Sequence, residues 1–244
     1  MISRALTTSS APAALDPFTL RAVLFDMDGT LYPQTPLRLL MAAELALQGL
    51  RTGSVAKASR LARILATFRT VREELRSAGE PRGEWLEQLQ YTRTGDRLGV
   101  PEAEVRRVVE EWVMQRPLKH LRRLVPARLT ALLDALASRH VHLGVLSDYP
   151  ATTKLQAMQI EARFSLSLST ADPSINAFKP HPKGFWHACD MWGVAPKEVL
   201  YVGDRPEIDG AGAAAAGIRC FILTRRSGGV ASGSLADLQR ALAL

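Results

Sequence analysis

The stretch that most constrains the fold is RAVLFDMDGTL at residues 21–31, an apolar run that stops at two aspartates one residue apart. Residues 22–25 are typical of a short, fully buried strand in a parallel sheet. Asp26 and Asp28 would then follow directly at its carboxyl end. Two carboxylates about 4 Å apart repel by roughly 4 kcal/mol at an effective dielectric near 20, so folding alone does not favour this pair. A cation, a shared proton or a catalytic role is the usual reason for such an arrangement.

The size and composition indicate an ordinary soluble globular protein. At 244 residues, with 47% apolar and 23% charged residues, the chain can bury a full core as one large domain or two modest ones. No apolar run approaches the length of a membrane span, so no membrane partner is expected. Residues 1–19 are small and polar and predict a loose N-terminal leader. Two cysteines, Cys189 and Cys220, do not form a disulfide framework, which favours a cytoplasmic location.

The net charge of +7 comes mostly from arginines. Many of them recur at helical spacing between residues 51 and 128, where solvated helix faces explain them, and a general attraction for small anionic substrates is a milder functional interpretation. The chain has no zinc-finger spacing, no RNA-binding signature and few aromatic residues, so no nucleic-acid partner is expected. We expect a monomer or a homodimer.

The periodicity divides the chain into two kinds of region. From about residue 36 to residue 120 the pattern is helical, with apolar residues three and four apart. From Pro126 onward, predicted helices alternate with short apolar strands at 141–147, 164–169, 198–204 and 218–223, the last taken as the final strand. This rhythm predicts an α/β fold: a Rossmann-like parallel sheet with helices on both faces. We predict a core domain of residues 20–34 and 121–244, interrupted by an all-helical domain at 35–120.

The polar residues that follow the predicted strands point to one site. Asp26 and Asp28 end the first strand, Ser147 ends the second and Asp204 ends a later one, while Lys179 lies in a loop between two elements. Ligands of open α/β sheets bind outside the carboxyl ends of the strands. We therefore expect separate segments to deliver these groups to the same edge of the sheet.

Four segments, in this order, resemble the motifs of the haloacid dehalogenase (HAD) superfamily. They are DMDGT at 26–30, Ser147 at a strand end, Lys179 within FKPHP, and GDRPEID at 203–209. The helical insertion is similar to the cap domain that this superfamily places after its first motif. The resemblance implies a phosphoric monoester hydrolase, with the cap closing over a small phosphorylated substrate.

The candidate residues suit that chemistry. Asp26 can attack phosphorus and form an aspartyl-phosphate, and Asp28 can protonate the leaving oxygen and later accept a proton from water. Ser147 and Lys179 would hold the phosphate oxygens, and Thr30 would help to fix the first loop.

Counting charges adds a cation to this site. Asp26, Asp28, Asp204 and Asp209 carry up to four negative charges, a phosphate adds about two, and Lys179 supplies one positive charge. Mg²⁺ would offset the remainder, since oxygen ligands suit it. The resemblance implies that the Asp26 carboxylate, the Asp28 backbone carbonyl and Asp204 hold the metal, with Asp209 in support.

Several other functions fit parts of the pattern. A phosphomutase of sugar phosphates would use the same core, and a phosphonate C–P hydrolase would need a lysine of the insertion, either Lys57 or Lys119. A non-catalytic relative would usually have lost a nucleophile or a metal ligand. Dehalogenases of the superfamily lack the second acid, since a halide needs no proton. A calcium loop is excluded, because Gly29 is fourth rather than sixth from Asp26.

Some residues remain ambiguous from the sequence. Asp148 follows Ser147, where many HAD phosphatases have Asn or Gly, and we interpret it as structural. Arg69, Arg72 and Arg76 share one helical face, which fits either a site-facing stripe or a solvated one. The four tryptophans occur at helical spacing with apolar residues and are predicted to be core residues: Trp85, Trp112, Trp186 and Trp192.

Overall fold

The computed structural model of the chain describes residues 20–79, 81, 83–224 and 232–244, so the leader predicted at 1–19 lies outside the described residues. In these residues six strands form one parallel sheet in the order β3-β2-β1-β4-β5-β6. The strands are β1 (Ala22–Phe25), β2 (His142–Ser147), β3 (Leu166–Ser169), β4 (Val199–Gly203), β5 (Arg219–Leu223) and β6 (Ser232–Gly233). The expected α/β fold with a Rossmann-like parallel sheet is confirmed.

The helices fall into two groups along the chain. Between β1 and β2 lie α1 (Gln34–Thr52), α2 (Val55–Ala78), α3 (Leu86–Leu98), α4 (Glu102–Val109), a π-helical segment (Glu110–Gln115), α5 (Leu118–Leu124) and α6 (Ala127–Ser138). We call α1 to α5, with the π-helical segment, the helical insert. The later helices are α7 (Thr152–Met158), α8 (Lys183–Trp192), α9 (Ala211–Ala215) and α10 (Leu235–Ala241). The prediction that residues 218–223 form the final strand is wrong, because the short strand β6 pairs beside β5.

β1 lies at the centre of the sheet, between β2 and β4, and all four of its residues are buried. Its side chains alternate between the two faces, as the two-residue period of a strand requires. Val23 and Phe25 pack into one apolar cluster, and Ala22 and Leu24 pack into a second one on the other face. Helices that cover both faces leave only the strand ends open, so the residues after β1 emerge at the sheet edge.

The helical insert has an apolar cluster of its own. Ile64 and Phe68 of α2 pack with Val105, Val108 and Trp112 of the segment that follows α3. This cluster fixes the rotation of α2, and the neighbouring face of the helix borders the sheet domain.

The prediction that all four tryptophans are core residues is only partly right. Trp112 is buried, but Trp85 and Trp186 are 56% and 45% exposed. The Trp186 indole donates a hydrogen bond to the carbonyl of Ala216 at 3.3 Å, which satisfies its polar end at the surface. Helical spacing places residues on one face of a helix but does not determine whether that face is buried, so Trp85 and Trp186 could be exposed.

The described residues contain no helix that is long and apolar enough to cross a membrane.

Candidate active site

The centre of the site is the Lys179 ammonium, which is buried at the carboxyl edge of the sheet. Its Nζ donates to Asp26 Oδ1 at 2.6 Å, to Asp209 Oδ1 at 2.8 Å and to the Tyr201 hydroxyl at 2.8 Å. Tyr201 in turn donates to Asp209 Oδ1 at 3.0 Å. Asp26 directly follows β1, Tyr201 lies in β4, Lys179 lies in a loop, and Asp209 lies in a second π-helical segment (Pro206–Gly210). Separate segments thus meet at one edge of the sheet.

The carboxylates around Lys179 are crowded. Burial raises the pKa of Asp26 to about 8, since repulsion by Asp209 adds to it and Lys179 opposes it only in part. Burial and Asp209 also raise the pKa of Asp204 to about 6. Raised carboxyl pKa values of this kind mark a place where additional positive charge would be stabilised.

The donor set fits a divalent cation that prefers oxygen. Asp26, Asp204 and Asp209 each offer a carboxylate oxygen, and these oxygens all lie within 4.8 Å of one another. Asp204 Oδ1 is buried, and no hydrogen-bond donor among the described residues contacts it. An unpaired buried carboxylate oxygen is costly unless a ligand completes it. The three carboxylates therefore match the ligands that Mg²⁺ takes in proteins.

Two local features hold Asp204 and Asp209 in this arrangement. Asp209 Oδ2 accepts hydrogen bonds from the backbone amides of Asp204 at 3.2 Å and Arg205 at 3.0 Å. Gly29 turns the first loop with φ +107, and a Cβ atom there would lie 2.2 Å from Asp204 Oδ2. The loop after β1 can approach Asp204 this closely only because residue 29 is glycine.

Asp28 has a different environment from the other carboxylates. Lys154 Nζ donates to its two oxygens at 2.7 Å and 3.0 Å, and the Tyr32 hydroxyl donates to Oδ1. Burial alone would raise the pKa of Asp28, but Lys154, with smaller help from Tyr32 and Arg72, lowers it below the ordinary value. Asp28 therefore has a cationic partner of its own and is not part of the cluster formed by the other three aspartates.

Lys154 and Tyr201 are site residues that were not predicted from the sequence. Lys154 lies in the first turn of α7, where the helix dipole disfavours a cation, and that position was the available signal that a specific partner is near. Tyr201 occurs within a buried strand, where its hydroxyl needs a hydrogen-bond partner. Its partners, Lys179 and Asp209, belong to other segments, and the strand pattern does not identify them.

Ser147 and Thr30 complete the set of predicted site residues. Ser147 is buried at the end of β2, and its Oγ accepts a hydrogen bond from the Tyr149 amide at 3.2 Å. The Thr30 hydroxyl donates to Asp26 Oδ2 at 3.4 Å, so Thr30 orients the carboxylate of Asp26 in addition to fixing its loop. All seven predicted site residues except Thr30 line one cavity of about 800 Å³.

The helical insert forms the other wall of this cavity through α1, α2 and the π-helical segment. Arg76 of α2 connects the two walls: its Nη2 donates to Asp148 Oδ2 at 2.7 Å, and its Nη1 donates to the Lys179 carbonyl at 2.5 Å. Asp148 also accepts a hydrogen bond from Thr170 at 3.1 Å. Burial would raise the pKa of Asp148, but Lys179 and Arg76 lower it. The structural role predicted for Asp148 is thus an ion pair between the insert and the sheet.

Arg69 and Arg72 also line the cavity, so the arginine stripe of α2 faces the site. Neither Lys57 nor Lys119 is among the described residues that line it. Lys119 instead pairs with Glu44 at 2.8 Å. A phosphonate hydrolase that uses a lysine of the insert is therefore disfavoured.

Comparison with known families and proteins agrees with this geometry. The family model described as haloacid dehalogenase-like hydrolase matches residues 20–217. The rat (Rattus norvegicus) N-acylneuraminate-9-phosphatase is 31% identical over 155 residues, which cover 60% of this chain and 56% of that protein. The phosphoglycolate phosphatase of Pasteurella multocida is 38% identical over 77 residues, 30% of this chain and 33% of that protein. The matched regions thus cover about half or less of these relatives' length.

Solved structures share the fold. An HAD phosphatase from Thermococcus onnurineus has a TM-score of 0.61 at 21% identity, covering 91% of this chain and 98% of its own. A 2-haloacid dehalogenase from Pseudomonas syringae has a TM-score of 0.64 at 20% identity, covering 92% and 98%. The chain belongs to the haloacid dehalogenase-like hydrolase family.

Proposed function

For this member of the haloacid dehalogenase-like hydrolases, we propose an Mg²⁺-dependent phosphatase that hydrolyses a small phosphorylated metabolite through an aspartyl-phosphate on Asp26. The observation that carries the proposal is the cluster of three carboxylates around buried Lys179, with a fourth carboxylate, Asp28, at the end of the same strand. A nucleophile, a cation-binding set and a separate acid–base group are the parts that phosphoryl transfer to a carboxylate requires.

Asp26, Asp204 and Asp209 would hold the Mg²⁺, together with the backbone carbonyl of Asp28. When bound, the metal neutralises negative charge that develops on the phosphoryl oxygens. The remaining steps belong to side chains of the chain. Lys179 and Ser147 bind phosphate oxygens, and Thr30 keeps the Asp26 carboxylate oriented toward phosphorus.

In the first half of the reaction, an Asp26 oxygen bonds to phosphorus while the bond from phosphorus to the ester oxygen breaks. The ester oxygen takes a proton from Asp28 and leaves as an alcohol. Because Lys154 keeps the pKa of Asp28 low in the free protein, Asp28 is ionised before the substrate arrives. The negative charge of the bound phosphate raises that pKa, so Asp28 takes up its proton as the substrate binds.

In the second half, water attacks the phosphorus of the aspartyl-phosphate, and Asp28 accepts a proton from it. The bond from phosphorus to Asp26 breaks, inorganic phosphate leaves, and the Asp26 carboxylate is restored. The contact with Lys154 stabilises the ionised form of Asp28 that is needed at this stage. We propose that the helical insert, approximately the domain predicted at 35–120, acts as the cap that excludes bulk water during both halves.

The test is phosphate release from a panel of esters with Mg²⁺ and with chelator. The panel includes phosphoglycolate, N-acylneuraminate 9-phosphate, sugar phosphates and nucleotides. We expect Mg²⁺-dependent release that Asp26→Asn abolishes, while Asp190→Asn, an exposed aspartate of α8 that lies outside the cavity, leaves it unchanged. Release that persists in the Asp26→Asn protein, or that a chelator does not reduce, would refute the assignment.

Two further readouts separate the alternatives. Radiolabelled phosphate that passes from the protein to an acceptor sugar rather than to water would indicate a phosphomutase. Halide release from a 2-haloacid, without phosphate release from any ester, would indicate a dehalogenase.

The cytoplasmic location is likewise a proposal, supported by the free thiols of Cys189 and Cys220.

A further inference from the structure

The most unusual charged residue of the cavity is Arg72, on the α2 face that looks toward the sheet. It is only 5% exposed, and no carboxylate among the described residues lies within ion-pair distance of it. Its guanidinium donates two hydrogen bonds to the neutral Gln90 Oε1, from Nε at 2.9 Å and from Nη2 at 2.8 Å. A buried guanidinium is costly without a negative partner. The only side chain among the described residues that accepts a hydrogen bond from this guanidinium is a neutral amide.

Aromatic rings fix the plane of that guanidinium. Its Cζ atom lies 3.3 Å from the centre of the Tyr149 ring, with Phe178 at 5.4 Å and Phe68 at 5.6 Å. Gln90 uses the edge formed by Nε and Nη2, so both Nη1 hydrogens and one Nη2 hydrogen have no acceptor in the described part of the chain. These donors form a planar fork on a residue that lines the cavity. A rigid fork of this kind matches a carboxylate.

Arg72 is close to the phosphate site without belonging to it. The ring on which it stacks is that of Tyr149, whose backbone amide donates to Ser147. The groups proposed to bind phosphate and metal come from the strand ends and from Lys179, whereas Arg72 comes from the insert and faces them across the cavity. A part of the substrate that contacts Arg72 therefore belongs to the leaving group, which is joined to phosphorus through the ester oxygen.

A second unpaired arginine lies beside the first. Arg69 precedes Arg72 by three residues on α2, which places the two on the same helix face. It lines the cavity, and none of the described carboxylates pairs with it. By contrast, the other cations named at this site have acidic partners: Lys154 with Asp28, Lys179 with Asp26, and Arg76 with Asp148. The excess positive charge is thus on the side of the leaving group.

Resting on the phosphatase function proposed above, we propose that Arg72 and Arg69 bind a carboxylate of the leaving group, so that the substrate is the phosphate monoester of a hydroxy acid. The phosphate lies at the sheet edge and the carboxylate lies against α2. The rest of the leaving group contacts the apolar wall formed by Met41, Leu45 and Leu65.

The test compares matched esters that differ only in the acid. One pair is 3-phosphoglycerate and glycerol 3-phosphate, and a longer pair is 6-phosphogluconate and sorbitol 6-phosphate. We expect the protein with Mg²⁺ to prefer the acid member of at least one pair in kcat/KM by roughly 10- to 100-fold, the range for a hydrogen-bonded charged contact. The variants Arg72→Lys and Arg69→Gln should lower kcat/KM for the acid more than for the neutral ester, mainly through KM. Arg63→Gln, an exposed α2 position outside the cavity, is the matched control.

The outcomes separate the two proposals. Equal kcat/KM for both members of each pair, or equal losses for both members in the variants, would overturn the carboxylate site while leaving the phosphatase intact. A preference only for fructose 1,6-bisphosphate over fructose 1-phosphate would replace the carboxylate by a second phosphate. If no ester is hydrolysed, the phosphatase proposal fails. In that case calorimetric titration of 3-phosphoglycerate and glycerol 3-phosphate into Asp26→Asn protein still tests the site, since equal affinities contradict it.

Discussion

Replacing Gly29 by alanine tests whether the loop after β1 and Asp204 form one cation site. The backbone at residue 29 has φ +107, where a side chain costs about 1–3 kcal/mol of strain. The new Cβ would also lie 2.2 Å from Asp204 Oδ2, whereas ordinary contact begins at 3.4 Å. The carboxylate would have to withdraw by the difference, 3.4 − 2.2 = 1.2 Å.

A displacement of that size is large compared with the tolerance of the proposed ligand. Mg²⁺ requires near-octahedral oxygen geometry at about 2.0–2.1 Å, so moving one carboxylate by more than 1 Å removes it from the ligand set. We expect Gly29→Ala to raise the Mg²⁺ concentration for half-maximal phosphate release at least 10-fold. It should also lower the free energy of unfolding by about 1–3 kcal/mol.

Gly53 provides the matched control, because it separates backbone strain from the collision. It has φ +61 at the end of α1, and a Cβ there would meet nothing within 4 Å. Gly53→Ala should cost about 1 kcal/mol of stability and leave the Mg²⁺ requirement unchanged. Chemical denaturation and Mg²⁺ titrations of activity measure the two quantities for both variants. An unchanged Mg²⁺ requirement in Gly29→Ala would refute the assignment of Asp204 as a ligand.

Three further predictions concern the same site. Asp148→Asn should lower the free energy of unfolding at pH 7 by about 3 kcal/mol, because it breaks a buried ion pair with Arg76. Since the folded pKa of Asp148 lies below its ordinary 3.8, this difference should persist above that pH and shrink as the pH falls below it, as urea denaturation at several pH values would measure. Mg²⁺ at 100 times its dissociation constant should stabilise the folded protein by about 2.7 kcal/mol in thermal unfolding, and Asp204→Asn should abolish most of that gain. Tyr201→Phe should cost about 1–3 kcal/mol, because it removes the hydroxyl between Lys179 and Asp209; an unaltered melting temperature would contradict this.

The sheet and the carboxylate cluster were predictable because both follow from local patterns. An apolar run that ends in a polar residue specifies a buried strand and the direction of its carboxyl end, and parallel strands carry those ends to one edge. Asp26, Ser147 and Asp204 could therefore be expected at that edge from their positions alone. The short β6 was missed, because a two-residue strand of Ser232–Gly233 carries no apolar signal.

The contacts between the insert and the sheet were not predictable in the same way. Arg69, Arg72 and Arg76 share a face of α2, yet a shared face has the same periodicity whether it meets solvent or a site. What decides the matter is the packing of Ile64 and Phe68 inside the insert, which fixes the rotation of α2 so that the neighbouring face, with the arginines, borders the cavity. That orientation depends on packing between distant segments, which periodicity does not encode.

The arrangement of charges explains why Asp26 and Asp28, with one residue between them, can have different tasks. Each has its own buried lysine from a distant segment: Lys179 contacts Asp26, and Lys154 contacts Asp28. Lys179 is shared with Asp209, so burial and repulsion still leave the pKa of Asp26 raised, whereas Lys154 serves Asp28 alone among the described carboxylates and lowers its pKa. The repulsion expected between adjacent carboxylates is thus relieved unequally. Asp26, which lacks a full positive partner, is the residue beside the proposed cation. Asp28, whose charge Lys154 already neutralises, is free to exchange a proton with the leaving oxygen and with water.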